Sequence, residues 1–237
     1  MISFADALFN LEPMELIKSL VDFILHIDIH LVEIVNNYQA WTYLILFFII
    51  FAETGLVVTP FLPGDSLLFA AGAIVAKPDA TLTISLLWLL LMVAAVAGNL
   101  VNYRVGIFVG PRAFSGQYRL IKREYLIKAQ HFYSKYGGKT IIYARFIPII
   151  RTFAPFVAGI GMMSYRRFMI YNVAGSVAWV TSFLFLGYYF GGLPVIKANF
   201  TYVIFAIIFL SLLPALIGVI RQSNKSKTMS NTPDQGT

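Results

Sequence analysis

The chain reads as an all-α polytopic membrane protein in which two re-entrant helical hairpins oppose each other as an inverted repeat. Three observations lead there. First, 59% of its 237 residues are hydrophobic and 12% charged, with mean hydropathy +0.76, too apolar for a water-soluble domain of that size. Second, several apolar runs are long enough to cross a bilayer, at about 20 residues per span. Third, two further apolar stretches are broken by proline and carry charge. One, 51–72, holds Glu53 and Asp65 with Pro60, Pro63 and Gly64; the other, 143–159, holds Arg145 and Arg151 with Pro148, Pro155 and Gly159. An ionisable side chain at bilayer depth is costly and marks a functional site by default.

The composition also excludes classes. Without cysteine there is no disulfide, thiolate nucleophile or cysteine-based zinc site. The net charge of +7 gathers in loops beside apolar runs, which is a topology signal rather than a nucleic-acid footprint. The first 37 residues hold six acidic side chains against Lys18 alone, and no cleaved signal peptide is expected.

Residues 1–37 form an amphipathic N-terminal segment: Leu20, Ile24, Ile27, Leu31 and Ile34 recur at helical spacing opposite Asp22, His26, His30 and Glu33. His26 and His30 stand one turn apart, but the wet face of an interfacial helix accounts for them, and no metal or cofactor is expected. Residues 38–220 form the membrane domain. Its first span, 38–58, enters through Tyr38, Trp41 and Tyr43. Residues 59–79 are too interrupted to cross as one helix and read as a re-entrant hairpin, tolerated only inside protein or beside a wet cavity. The next span, 82–109, carries the small residues Ala94, Gly98 and Gly106 for close helix contact. A basic connector, 110–139, places Ile121, Tyr125, Phe132 and Tyr136 on one helical face and stops at Gly137-Gly138. The second hairpin occupies 140–163. Arg166-Arg167 precede a span at about 168–190 with Gly187 near its end and Gly191 just beyond, and a last span covers about 200–220. The tail, 221–237, is polar and first basic.

Counting lysine and arginine gives one consistent topology. With the basic connector cytoplasmic, the second hairpin enters from the cytoplasm, the first from outside, and both termini are cytoplasmic. The hairpins also share an echo, Phe69-Ala-Ala-Gly72 against Phe156-Val-Ala-Gly159, which sets Gly64-Asp65 opposite Arg151-Thr152. Broken apolar segments in corresponding places of two halves point to a transporter's binding site.

Arginine does not lose its proton at ordinary pH, so Arg145 and Arg151 each require an anion in apolar surroundings, either Glu53 and Asp65 or a substrate. On an unbroken helix the two arginines would face different ways; the break at Pro148 lets them converge. Guanidinium forks suit phosphate, and half-helices opened at Pro148 and Pro155 present amide groups to an anion. Glu53 and Asp65 can titrate, which offers a route to proton coupling: substrate and proton exchange partners in one charge network. A static quartet of ion pairs that only holds the hairpins together is the competing reading. Enzyme readings fail. Gly64-Asp65-Ser66-Leu67 resembles a serine-esterase block, but the only histidine after residue 30 is His131, in the polar connector with Lys128 three residues before it.

The run Phe51-x-Glu53-Thr54-Gly55, Leu62-Pro63-Gly64-Asp65-Ser66-Leu67-Leu68, the stretch Ala144-Arg145-Phe146-x-Pro148-x-x-Arg151-Thr152-Phe153-Ala154-Pro155-Phe156-x-Ala158-Gly159, and Met163-Ser164-Tyr165, Asn172, Gly175 and Trp179 resemble the signature of the bacterial DedA family of VTT-domain membrane proteins, across about residues 20–220. The resemblance implies a bacterial inner-membrane protein that recycles the lipid carrier undecaprenyl phosphate at the expense of the proton motive force. Its essential acidic pair falls on Glu53 and Asp65, its essential basic pair on Arg145 and Arg151. Its partners would be a lipid-linked phosphate, protons and membrane lipids, with no nucleic acid, and homo-oligomers are left open. Eukaryotic relatives are lipid scramblases, so a non-selective scramblase is the alternative transport reading; a structural or regulatory membrane protein is the third. One departure concerns Gly98-Asn99 and Tyr103-Arg104-Val105-Gly106-Ile107, where many relatives carry an acid at Asn99 and a base at Ile107; Arg104 is the nearby candidate to compensate.

Overall fold

The computed structural model describes residues 40–56, 64–78, 80–113, 133 and 136–210; among these no strand occurs. The helices are α1 (Trp41–Gly55), α2 (Gly64–Val75), α3 (Ile84–Ala113), α4 (Lys139–Ala144), α5 (Pro148–Ile160), α6 (Tyr165–Phe190), α7 (Pro194–Ala198) and α8 (Phe200–Leu210). The N-terminal amphipathic segment with His26 and His30, Pro60 and Pro63 of the first hairpin, most of the basic connector and the C-terminal tail lie outside the described residues.

Two helices are long and apolar enough to cross a membrane, over Ile84–Gly110 and Tyr165–Phe190. At about 1.5 Å per residue, the 30 residues of α3 and 26 of α6 exceed the hydrocarbon core of about 30 Å. The 12 residues of α2 and 13 of α5 reach only about 20 Å, roughly two thirds of that depth. Every residue of α2 is buried, so this short helix runs inside protein and not against lipid.

Element boundaries depart from the sequence reading in ways that bear on the charges. The first span ends as a helix at Gly55, and Leu56 is extended, which leaves Glu53 in the last turn of α1. The span expected from 168 begins at Tyr165, so Arg166 and Arg167 form its first turn rather than a preceding loop. Pro148 opens α5 at its first turn, where the missing amide hydrogen is no loss. Pro155 was expected to break the hairpin, yet it lies inside α5 and the helix continues to Ile160. A proline there removes one backbone bond, but flanking packing holds the helix; Ala154, Pro155 and Ala158 are all buried. Gly137, with φ +68, ends the helical turn that includes Tyr136 in the left-handed conformation suited to glycine, as the Gly137-Gly138 pair predicted.

The helices meet through backbone-on-backbone crossings. α2 packs on α6, and α3 packs on both α1 and α5. A Cβ added to Gly72 would strike the Leu184 carbonyl and, at 2.9 Å, the Tyr188 amide; one on Gly187 would strike the Phe69 carbonyl. The second crossing is built alike: a Cβ on Gly159 would strike the Tyr103 carbonyl and, at 2.9 Å, the Ile107 amide, and one on Gly106 the Phe156 carbonyl. Phe69 and Gly72 thus use the same contacts as Phe156 and Gly159, the residues of the sequence echo. Around the first crossing Leu46, Ile50, Leu68, Leu87, Leu91 and Leu184 form the main apolar core. Small residues at such contacts are what permits helix association where lipid removes the hydrophobic drive.

Gly159→Ala and Gly187→Ala are each expected to cost about 1–3 kcal/mol, as an overpacked helix contact does. Gly192→Ala, at a position with nothing within 4 Å, should leave stability unchanged. Thermal denaturation of the purified protein in detergent, comparing the three variants with the parent, reads the difference.

Candidate functional site

The two charged stretches meet. Arg151, in the first turn of α5, donates from Nη1 to Asp65 Oδ1 at 2.7 Å and from Nη2 to Glu53 Oε1. Its amide is used within the fold, donating to the Ile147 carbonyl at 2.8 Å. Glu53 comes from the end of α1, where the chain leaves helical geometry, and Asp65 from the first turn of α2. Glu53 Oε1 also accepts the Gly64 amide at 3.2 Å, so the carboxylate caps the start of α2. Gly64 is required by this contact, because a Cβ there would fall on the Glu53 carboxylate.

Trp179 of α6 is fully buried and forms the floor. Its indole Nε1 donates to Asp65 Oδ1 at 2.7 Å, and its ring lies 4.8 Å from the Arg151 guanidinium carbon and 5.8 Å from that of Arg145. Cation–π contact of this kind is strongest when desolvated. Arg145 and Arg151 are 1% and 3% exposed, so both guanidiniums converge on the interior as the proline break predicted.

They are not equivalent. Both carboxylates go to Arg151, whereas Arg145 was expected to need an anion and contacts none among the described residues. Arg145 Nη2 donates to Asn172 Oδ1 at 2.7 Å. The Asn99 amide lies beside both groups: with its NH2 toward Asn172 it donates to Asn172 Oδ1 at 3.1 Å, and turned over it sets its oxygen 2.6 Å from Arg145 Nη2 and its NH2 3.3 Å from the Thr54 carbonyl. Asn172 is fixed in turn by donating to the Val96 carbonyl at 3.0 Å. Asn102, also buried, donates to the Thr152 carbonyl at 2.7 Å and ties α3 to α5. Among the described residues, Arg145 Nε and Nη1 and Glu53 Oε2 reach no hydrogen-bond partner.

Glu53, Asp65, Arg145 and Arg151 are therefore brought together around Trp179, with Gly64 beside them and Pro148 opening the helix that carries Arg151. Gly159 lies at the α3–α5 crossing, Pro155 within α5, and Pro60 and Pro63 outside the described residues. Arg104 does not replace a lost ion pair in this cluster: it is exposed, and stacks over the Tyr165 ring at 5.4 Å. Sequence reasoning did not give site roles to Asn102, Asn172 or Trp179, and treated Asn99 only as a departure. One signal was there: Asn172, Gly175, Ser176 and Trp179 repeat at helical spacing within an apolar span, a polar stripe that must face protein.

Short helices set among longer ones apolar enough to cross a membrane, with two acids paired to Arg151 and a second buried arginine beside them, define a helical membrane protein with an intramembrane charge cluster. Residues 62–189 match the VTT domain family. The chain is 53% identical over 209 residues to Protein DedA of Escherichia coli K12, covering 88% of this chain and 95% of that protein. It is 42% identical over 174 residues to an uncharacterized membrane protein of Mycobacterium tuberculosis H37Rv, covering 73% and 76% of the two chains. To the inner membrane protein YqjA of E. coli K12 it is 36% identical over 154 residues, covering 65% and 69%. No solved structure matches. The chain belongs to the VTT-domain membrane proteins, as a member of the bacterial DedA family.

Arg151→Met leaves two buried carboxylates facing each other and is expected to cost about 3–5 kcal/mol, the scale for breaking a buried pair from one side. Adding Glu53→Gln and Asp65→Asn should recover most of that loss, because no uncompensated acid then remains in the pair. Melting temperatures of the single and triple variants in detergent test both statements.

Proposed function

We propose that this protein carries a lipid-linked phosphate, undecaprenyl phosphate or a close chemical relative, across the inner membrane and is driven by the proton motive force. The observation that carries the reading is the arrangement of charge: two guanidiniums and two carboxylates held in a dry interior, at the ends of helices too short to span. With all four ionised the cluster is neutral. Admitting an anion to the arginines would leave net negative charge in low dielectric unless a carboxylate takes up a proton. Glu53 and Asp65 are the proton carriers in this scheme, and Arg145 and Arg151 the phosphate ligands. Protonation of either acid loosens Arg151, which then joins Arg145 at the phosphate.

The two glycine crossings of matching construction support an inverted-repeat arrangement of opposed hairpins, with both termini in the cytoplasm. Under that arrangement the cluster lies near the midplane and faces either side in turn. The name of the relative YqjA as an inner membrane protein supports the location.

A static charge network is the second reading, and the double pairing of Arg151 favours it. The two readings separate in proteoliposomes loaded with a fluorescent polyprenyl phosphate. A carrier moves lipid faster with a proton gradient and slows with protonophore, and Arg151→Ala abolishes uptake while still inserting. Uptake by Arg151→Ala equal to the parent would overturn the proposal. Movement of all phospholipids irrespective of headgroup and gradient would identify a scramblase instead.

A further inference from the structure

Arg145 is held unlike any other charge in the cluster. Its Nη2 donates to the Asn172 oxygen at 2.7 Å, and the Asn99 amide either donates to that same oxygen at 3.1 Å or, turned over, places its own oxygen 2.6 Å from Nη2. Its face looks toward the Trp179 ring. Along its Nε edge the α6 backbone passes close by at Gly175, where an added Cβ would stand only 3.3 Å from Nε, so a glycine is what leaves that edge uncovered by a side chain of α6. Asn172, Gly175 and Trp179 share one face of α6, and Asn99 stands across from them on α3. Nε and Nη1 remain without an acceptor among the described residues, in a side chain 1% exposed.

We infer that Asn99 and Asn172 are positioning residues that orient Arg145 through neutral acceptors and so reserve its charge, and its free Nε–Nη1 edge, for an incoming oxyanion. This rests on the phosphate reading above and sharpens it: Arg145 is the first ligand of the phosphate monoester, and Arg151 follows once its carboxylates release it. An amide oxygen suits this task. It accepts a hydrogen bond from guanidinium yet brings no negative charge, so the arginine is fixed in direction without being neutralised. A carboxylate in the same place would form the bidentate pair that arginine prefers and would compete with the ligand.

The test is the order of two substitutions at one position. Purified parent, Asn99→Asp and Asn99→Ala are titrated with dodecyl phosphate in detergent, and apparent KM and maximal rate are measured in the polyprenyl phosphate uptake assay. If Asn99 only shapes the fold, aspartate, the better hydrogen-bond acceptor, binds the ligand as well as the parent and alanine is the weaker. If it reserves charge, the order reverses: Asn99→Asp weakens dodecyl phosphate binding at least tenfold, Asn99→Ala by a few fold, and the aspartate effect falls on KM more than on maximal rate. Asn172→Asp should behave as Asn99→Asp does. Aspartate variants that bind as tightly as the alanine variant, or tighter, overturn the inference. So do aspartate variants at both positions that give no monodisperse protein, because a carboxylate beside an uncompensated guanidinium should be accommodated. A parent that does not bind dodecyl phosphate overturns the phosphate reading itself, which separates that failure from this one.

Discussion

Arg151 between Glu53 and Asp65 is the constraint on which the rest of the arrangement depends. A permanent cation inside an apolar bundle needs compensation, and here it comes from helices far apart in the chain. That demand positions α5 against the end of α1 and the start of α2. It accounts for Gly64, which leaves room for a carboxylate at the helix start, and for the extended backbone at Leu56, which ends α1 just beyond Glu53. It also accounts for Trp179, which supplies an aromatic face to the guanidiniums and an N–H to Asp65.

Around this pair the protein separates two uses of arginine. One guanidinium is neutralised by acids, the other is steered by amides. The difference comes from three buried asparagines, of which Asn99 and Asn172 touch Arg145, and Asn102 bridges α3 to α5 by the Thr152 carbonyl. Neutral polar side chains can be accommodated inside an apolar bundle when their hydrogen bonds are met, at far lower cost than charges. They let a charge keep its direction while leaving its electrostatic demand open.

Much of the fold was legible in the residues because lipid imposes simple rules. Apolar runs of adequate length gave α3 and α6, and the misplaced charges gave Glu53, Asp65, Arg145 and Arg151. The role of Pro148 followed from its position between two arginines. The reading failed where tertiary contact overrides local preference. Pro155 resembles a break, but neighbours hold α5 through it. Arg104 lies close in sequence to Asn99 and Ile107, yet it points outward to Tyr165. The pairing of both acids with Arg151 rather than Arg145 was not readable either, since no spacing rule decides which of two arginines a carboxylate from another helix will reach. Asn172 and Trp179 were discoverable as a polar stripe, but not what they would touch.

The glycine crossings have a mechanical consequence. Where backbone lies directly on backbone, as at Gly72 with Gly187 and Gly159 with Gly106, neither partner can slide without collision. α2 with α6, and α5 with α3, behave as two stiff couples. The couples share the apolar core of Leu68, Leu87, Leu91 and Leu184 and the stack of Tyr103 on Phe168, and polar contacts join them as well: Arg151 to Asp65, Asn172 to the Val96 carbonyl, and Trp88 Nε1 to the Thr181 hydroxyl at 2.8 Å. Hydrogen bonds and ion pairs can be exchanged for new partners at small net cost, whereas interlocked backbones cannot. Relative displacement of the two couples is therefore easier than sliding within either one, and it would have to exchange the ion pair and hydrogen bonds that cross the seam.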